Sequence, residues 1–187
     1  MPAPDASQVG GDWCDAFVLP DGATALVIGD VAGHDLDAAA DMAQLRKCCA
    51  PTPSPSRKPP SKIVEWLDQA TMQMSGPAMA TLVLARLTHV ASLGAHGILL
   101  GTGLREPRPD VSLLLPPGAT LLLYTDGLIE EPGASLDDGL DRLSRHAAAL
   151  SHQSLDTFTD KLLARARPAA NEDDIALLAL RTQGRGK

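Results

Sequence analysis

The sequence predicts an α+β domain in which helices and strands are grouped instead of alternating. Two observations carry that prediction. Helical periodicity comes in two pairs, one in residues 36–74 and one in residues 135–166, with strand-like apolar runs before, between and after them. The core must also be aliphatic: 44% of the 187 residues are hydrophobic, yet there are only two Trp, two Phe and one Tyr. That length fits one domain with a sizeable core over residues 5–181, and no repeat or second domain is apparent.

Residues 17–19 and 23–29 flank Pro20-Asp21-Gly22, a turn signal that predicts a hairpin. A helix follows over 36–49, with Ala38, Met42, Leu45 and Cys49 on one face. The Pro-rich stretch 51–60 ends it, since proline lacks a donor and disfavours helical geometry in the residue before it. Ser61 is the expected cap of a second helix, with Ile63, Leu67, Ala70 and Met74 inward. A strand is expected over 79–87. The glycine-rich region 88–110 offers one short strand at 98–100. Pro116-Pro117-Gly118 is a turn ahead of a strand at 120–124. Two helices then start at Ser135 (Leu136, Leu140, Leu143, Ala147 and Leu150 inward) and Ser154 (Leu155, Phe158, Leu162 and Ala166 inward). A strand at 175–181 and a polar tail at 182–187 complete the chain.

Composition excludes several classes of function. A formal net charge of -7 argues against a nucleic-acid surface, which needs clustered Lys and Arg. No run reaches the roughly 18 apolar residues of a membrane span. The first residues, Met1-Pro2-Ala3-Pro4-Asp5, lack the pattern of a signal peptide. Cys14, Cys48 and Cys49 make an odd count without zinc-ligand spacing, which points to a reduced, cytoplasmic setting.

The chemistry lies in aspartates at the ends of apolar runs. Residues 25–29 lead into Asp30, and residues 121–125 into Asp126-Gly127. Asp173-Asp174 precedes the run 175–180, and Asp12 and Asp15 stand in Gly10-Gly11-Asp12-Trp13-Cys14-Asp15. A single such Asp is ordinarily a turn former or helix cap. Several that converge at one sheet edge require a cation to offset their repulsion, and hard divalent ions prefer oxygen ligands.

These stretches, together with Gly29-Asp30-Val31-Ala32-Gly33-His34 and Leu123-Tyr124-Thr125-Asp126-Gly127-Leu128, resemble in order and context the motifs of SpoIIE-like bacterial phosphatases. That family belongs to the metal-dependent protein phosphatase 2C (PPM) superfamily. The resemblance covers residues 4–181 and implies a four-layer αββα sandwich with two Mn²⁺ or Mg²⁺ ions at the sheet edge. It implies hydrolysis of phosphoserine or phosphothreonine by metal-activated water, on a regulatory protein of the anti-anti-sigma type. Carried onto this chain, Asp30 bridges both ions and the Val31 carbonyl completes one coordination sphere. Asp126 and Asp173 hold one ion from the far side, and Asp12 contributes from the first motif. Asp15 and Asp174 are expected as acceptors around those ligands or as ligands through water. His34 has two readings, a proton donor to the leaving seryl oxygen or a helix-start residue bonded to the preceding loop. Asp35, Asp37 and Asp41 are read as partners of the helix dipole.

The chain departs from the family pattern in three places. It starts almost at the first motif, where members have a preceding strand, so an exposed sheet edge is expected. Its region 87–111 is short, with only Gly94-Ala95-His96-Gly97 resembling the family's Asn-Gly-His-Pro segment, so the sheet is expected to be shortened there. His34-Asp35 stands where many members have His-Gly. The intact ligand set favours a phosphatase, and the shortened scaffold favours a pseudophosphatase that binds a protein without turnover. A hydrolase of small phosphoesters is the third reading. The exposed edge and the helix pair are the surfaces through which a homodimer would form.

Overall fold

The computed structural model describes residues 10–33, 36–49, 58–73, 78–88, 91–94 (backbone only), 99–104, 106–168 and 173–183. The leading hairpin is longer than its turn-flanking runs imply. Strand β1 spans Asp12–Val18 and β2 spans Thr24–Val31, so Asp12 and Asp30 both lie inside the ladder. Helix α1 covers Leu36–Cys49, as its periodicity predicts. Helix α2 covers Pro60–Thr71, and its cap is Pro59, not Ser61. Pro60 suits the first helical position because its φ is preset and its missing N–H would have no helical partner there. Ser61 instead gives its backbone N–H and its hydroxyl to the two oxygens of Asp110, each at 2.8 Å.

Strand β3 (Ala80–Leu87) pairs antiparallel with β2 over its whole length. The glycine-rich region then supplies two strands that periodicity does not reveal, β4 (Ala91–Gly94) and β5 (Val111–Leu113). The expected strand at 98–100 is reduced to a single bridge, Leu100 to Ala80. The result is a five-stranded sheet in the order β1-β2-β3-β4-β5. Strands β6 (Thr120–Tyr124) and β7 (Leu177–Arg181) form a second, two-stranded sheet. Between them in sequence lie α3 (Leu136–Leu150) and α4 (Leu155–Ala166). Ser135 and Ser154 cap these helices as expected, Ser135 in a reciprocal capping box with Asp138. Leu136 and Leu140 are exposed instead of inward, because the buried stripe of α3 runs through Gly139, Leu143 and Leu150.

Alternation along the strands sends side chains into separate cores. Val27, Val31, Ala80 and Leu84 pack with Leu45 of α1 and Val64 and Leu67 of α2. Leu26, Ile28, Ala85 and Leu87 face the other way and meet Leu123 and Ala176, joining the two sheets. The far face of the smaller sheet packs on Leu143, Leu150, Phe158 and Leu162 of α3 and α4. The site aspartates stand at one end of the core between the sheets. Among the described residues no helix is long and apolar enough to cross a membrane.

Candidate metal centre

Asp12 and Asp30 are direct cross-strand partners, and the next pair in phase is Cys14 with Ile28. Both carboxyls therefore lie on the face that meets the smaller sheet. Like charges directly opposite each other destabilise a ladder. Here both carboxyls hold a proton more readily than usual. Burial first, then the charge of Asp12 and a hydrogen bond with it, push Asp30 up to about 7. Asp126 and Asp173 push it the same way, so their fields converge on Asp30 from the other sheet. Burial also raises Asp12, and the Thr125 hydroxyl opposes that rise by favouring the charged form.

Thr125 stitches the sheets together. It follows β6, and its backbone N–H donates to the Ala176 carbonyl at 3.1 Å. Its hydroxyl accepts from the Ala176 N–H at 2.9 Å and donates to Asp12 Oδ2 at 2.8 Å. The end of β6, the approach to β7 and the first residue of β1 are thus held through one buried side chain. The following residue, Asp126, opens a 3₁₀ turn (Asp126–Leu128). Its Oδ1 accepts from the Gly127 N–H at 2.9 Å, and Asp173 Oδ1 accepts from the Asp174 N–H at 3.0 Å.

Gly10 and Gly11 form the floor beside these groups. A Cβ on Gly11 would overlap the Val31 carbonyl oxygen and crowd Asp30 Oδ1. A Cβ on Gly10 would overlap the Asp174 carboxylate. The glycines are required by close approach, which keeps the Val31 carbonyl and the Asp30 carboxylate together.

The expected residues are thus sorted by geometry. Asp12, Asp30 and the Val31 carbonyl come together on one sheet, and Asp126 and Asp173 act on Asp30 from the other. Asp174 lies against Gly10. Asp15 is not gathered with them. It is out of phase with Asp12 along β1, and its carboxylate accepts from Arg46 of α1 at 3.0 Å. The strand alternation that brings Asp12 inward turns Asp15 toward the helices. His34 lies outside the described residues. Sequence reasoning missed Thr125 as a participant, although it stands in the Thr-Asp-Gly stretch; its hydroxyl role depends on a partner 113 residues away.

The gathered donors are all oxygens, the set a hard divalent cation takes. Among the described residues, no three His, Cys, Asp or Glu side chains are closed around a common point. Asp126 and Asp173 each accept a backbone N–H on Oδ1 only, and a carboxylate has further lone pairs to offer.

Comparison with known proteins bears on the family and the fold. The sequence profile of the family described as Stage II sporulation protein E (SpoIIE) matches residues 20–93 and 88–183. The structure of the RsbU and RsbW domains of Rv1364c from Mycobacterium tuberculosis superposes with a TM-score of 0.77 at 29% identity, over 96% of this chain and 57% of that one. The SiaA-PP2C domain of Pseudomonas aeruginosa gives 0.73 at 21% identity, over 94% and 82%. The PP2C phosphatase domain with a regulatory fragment of SpoIIE from Bacillus subtilis gives 0.68 at 17% identity, over 95% and 60%. The chain therefore spans a little over half of the first of these proteins and 60% of the third.

Proposed function

The chain belongs to the SpoIIE family of PP2C-type phosphatases, and from that premise we propose that it is a metal-dependent protein serine/threonine phosphatase. The observation that carries the reading is the Asp12–Asp30 cross-strand pair, with its Thr125 tie to the second sheet. On this reading residues 5–181 form one domain, a shortened four-layer αββα sandwich, which the three apolar cores between successive layers support.

Asp12, Asp30, Asp126, Asp173 and the Val31 carbonyl would hold two Mn²⁺ or Mg²⁺ ions. When bound, such ions supply Lewis acidity toward a phosphoryl group and a nucleophile at neutral pH. The chain's own residues prepare the site. Thr125 opposes the burial that raises the proton affinity of Asp12, and Gly11 leaves room for the Val31 carbonyl beside Asp30. Asp174 and His34 are assigned to orient groups around the ligands. Asp15 is assigned to anchoring α1 through Arg46, on the opposite face of β1.

The substrate we propose is a phosphorylated regulatory protein of the anti-anti-sigma type, dephosphorylated in the cytoplasm; homodimerisation belongs to the same reading. Its support is the kinship with Rv1364c, whose structure joins an RsbU to an RsbW domain. The test is Mn²⁺-dependent hydrolysis of a phosphoserine peptide by the wild-type chain and by Asp30→Asn. Equal rates would refute the assignment. A second reading, a pseudophosphatase that binds protein without turnover, rests on the short region 87–111. Calorimetric titration separates the two: absence of binding at near-millimolar Mn²⁺ supports the pseudophosphatase.

A further inference from the structure

A cavity of about 340 Å³ opens beside the candidate metal centre. It meets the centre at two points. Thr125 and Asp126 form part of its wall, and so does Thr81, the cross-strand partner of Asp30 on β3. Away from these residues the wall is mostly aliphatic, with Ile28, Leu82, Val83, Leu99, Leu100 and Ile129 beside Tyr124 and Arg108. Size and lining match a ligand site, where apolar walls carry a few placed polar groups.

The far wall is held in place by polar bonds to α2. Asp68 accepts from the Gly101 N–H at 2.8 Å and pairs with Arg108 at 3.3 Å. Asp110 holds Ser61 with two further bonds, and Leu100 is bridged to Ala80. The segment that carries Leu99, Leu100 and Arg108 is therefore tied at both ends. Arg108 is the cation of the wall, its side chain only 10% exposed, and Asp68 balances its charge. What remains is a graded cavity with Asp126 at the site end and a largely aliphatic interior beside Tyr124, with the Arg108 charge balanced by Asp68.

We infer that this cavity is a specificity subsite that receives an aliphatic side chain close to the phosphorylated serine or threonine of the substrate protein. The inference rests on reading the adjoining aspartates as the place where phosphate is held. The two chemistries sit next to each other as a phosphopeptide would need them. The phosphate goes to the charged end, and a neighbouring Leu, Ile or Val goes to the neutral end. A charged neighbour would lose its hydration there without gaining a partner.

The test uses phosphoserine peptides with glycine flanks and a single Leu moved through the two positions on either side. Binding is read by calorimetry with non-hydrolysable phosphonate versions, and turnover by phosphate release, both with Mn²⁺ present. At least one Leu position is expected to tighten binding and raise kcat/KM by roughly 10- to 100-fold over the all-glycine peptide. Leu99→Trp, at a position already 41% exposed, fills the cavity and removes that preference. Val83→Ala enlarges it and moves the optimum from Leu to Phe. Equal binding of all peptides, or a Leu preference unchanged in both variants, overturns the subsite. Discrimination in binding without any turnover keeps the subsite and overturns the phosphatase reading. Turnover without discrimination does the reverse.

Discussion

Thr125→Val removes one hydroxyl that serves two partners, and its cost follows from the geometry. The first loss is the bond to Asp12 Oδ2 at 2.8 Å. Asp12 is only half-buried, so solvent replaces part of it and the loss is about 1 kcal/mol. The second loss is the acceptor for the Ala176 N–H, which lies in the core between the sheets. A buried donor left unpaired costs about 1–3 kcal/mol. Valine keeps the shape, so no cavity term is added. The sum, about 2–4 kcal/mol, corresponds to a fall in Tm of roughly 5–15 °C for a domain of this size. Urea denaturation of wild type, Thr125→Val and Thr125→Ser measures it, with the serine variant recovering most of the loss. Removal of the Thr125 bond also raises the proton affinity of Asp12, so apparent Mn²⁺ affinity at pH 7 falls in the valine variant and returns with serine. A Thr125→Val variant within about 0.5 kcal/mol of wild type would refute the account of Thr125 as the tie between the sheets.

Gly11→Ala places a methyl group against the Val31 carbonyl oxygen; calorimetry is expected to show Mn²⁺ affinity reduced by roughly tenfold or more, because neither backbone can yield without moving Asp30. The metal-free chain should lose stability as pH rises. Asp30 keeps its proton up to about 7 in the folded state but releases it near 4 when unfolded, so the folded state binds more protons between those values. Denaturation midpoints measured from pH 4.5 to 7.5 should fall, saturating Mn²⁺ should abolish the fall, and a rising profile without metal would contradict the raised proton affinity of Asp30. Asp110→Ala removes both bonds to Ser61 and should cost about 1–2 kcal/mol, with faster amide exchange in the first turn of α2 as the local signature. Leu162→Ala, fully buried between α3, α4 and the smaller sheet, should cost about 2–5 kcal/mol in the same denaturation assay.

Much of the site is legible in the sequence because each of its parts is local. Asp30 and Asp126 end apolar runs beside glycine, and that pattern is visible without a fold. α3 and α4 are legible for the same reason, since Ser135 and Ser154 announce their caps. What escaped depends on contacts far apart in the chain. Strands β4 and β5 hold four and three residues, too few to establish an alternation, and they exist because β3 offers an edge. Ser61 looked like a cap because serine usually is one; its hydroxyl was claimed by Asp110, 49 residues away. Asp15 shares a motif with Asp12, but a register of two sends it to Arg46 on the other face.

The core between the two sheets has one further consequence. Asp12 and Asp30 are carried by one sheet, whereas Asp126 and Asp173 flank the strands of the other. Leu26, Ile28, Ala85 and Leu123 fill the space that separates them. These side chains act as a spacer, so their volume sets how far apart the two halves of the carboxylate cluster stand. A larger or smaller residue at Leu26, which does not line the cavity, would therefore tune the centre without touching a substrate. Differences in cation preference between relatives can then originate in aliphatic positions that no ligand-based comparison would select.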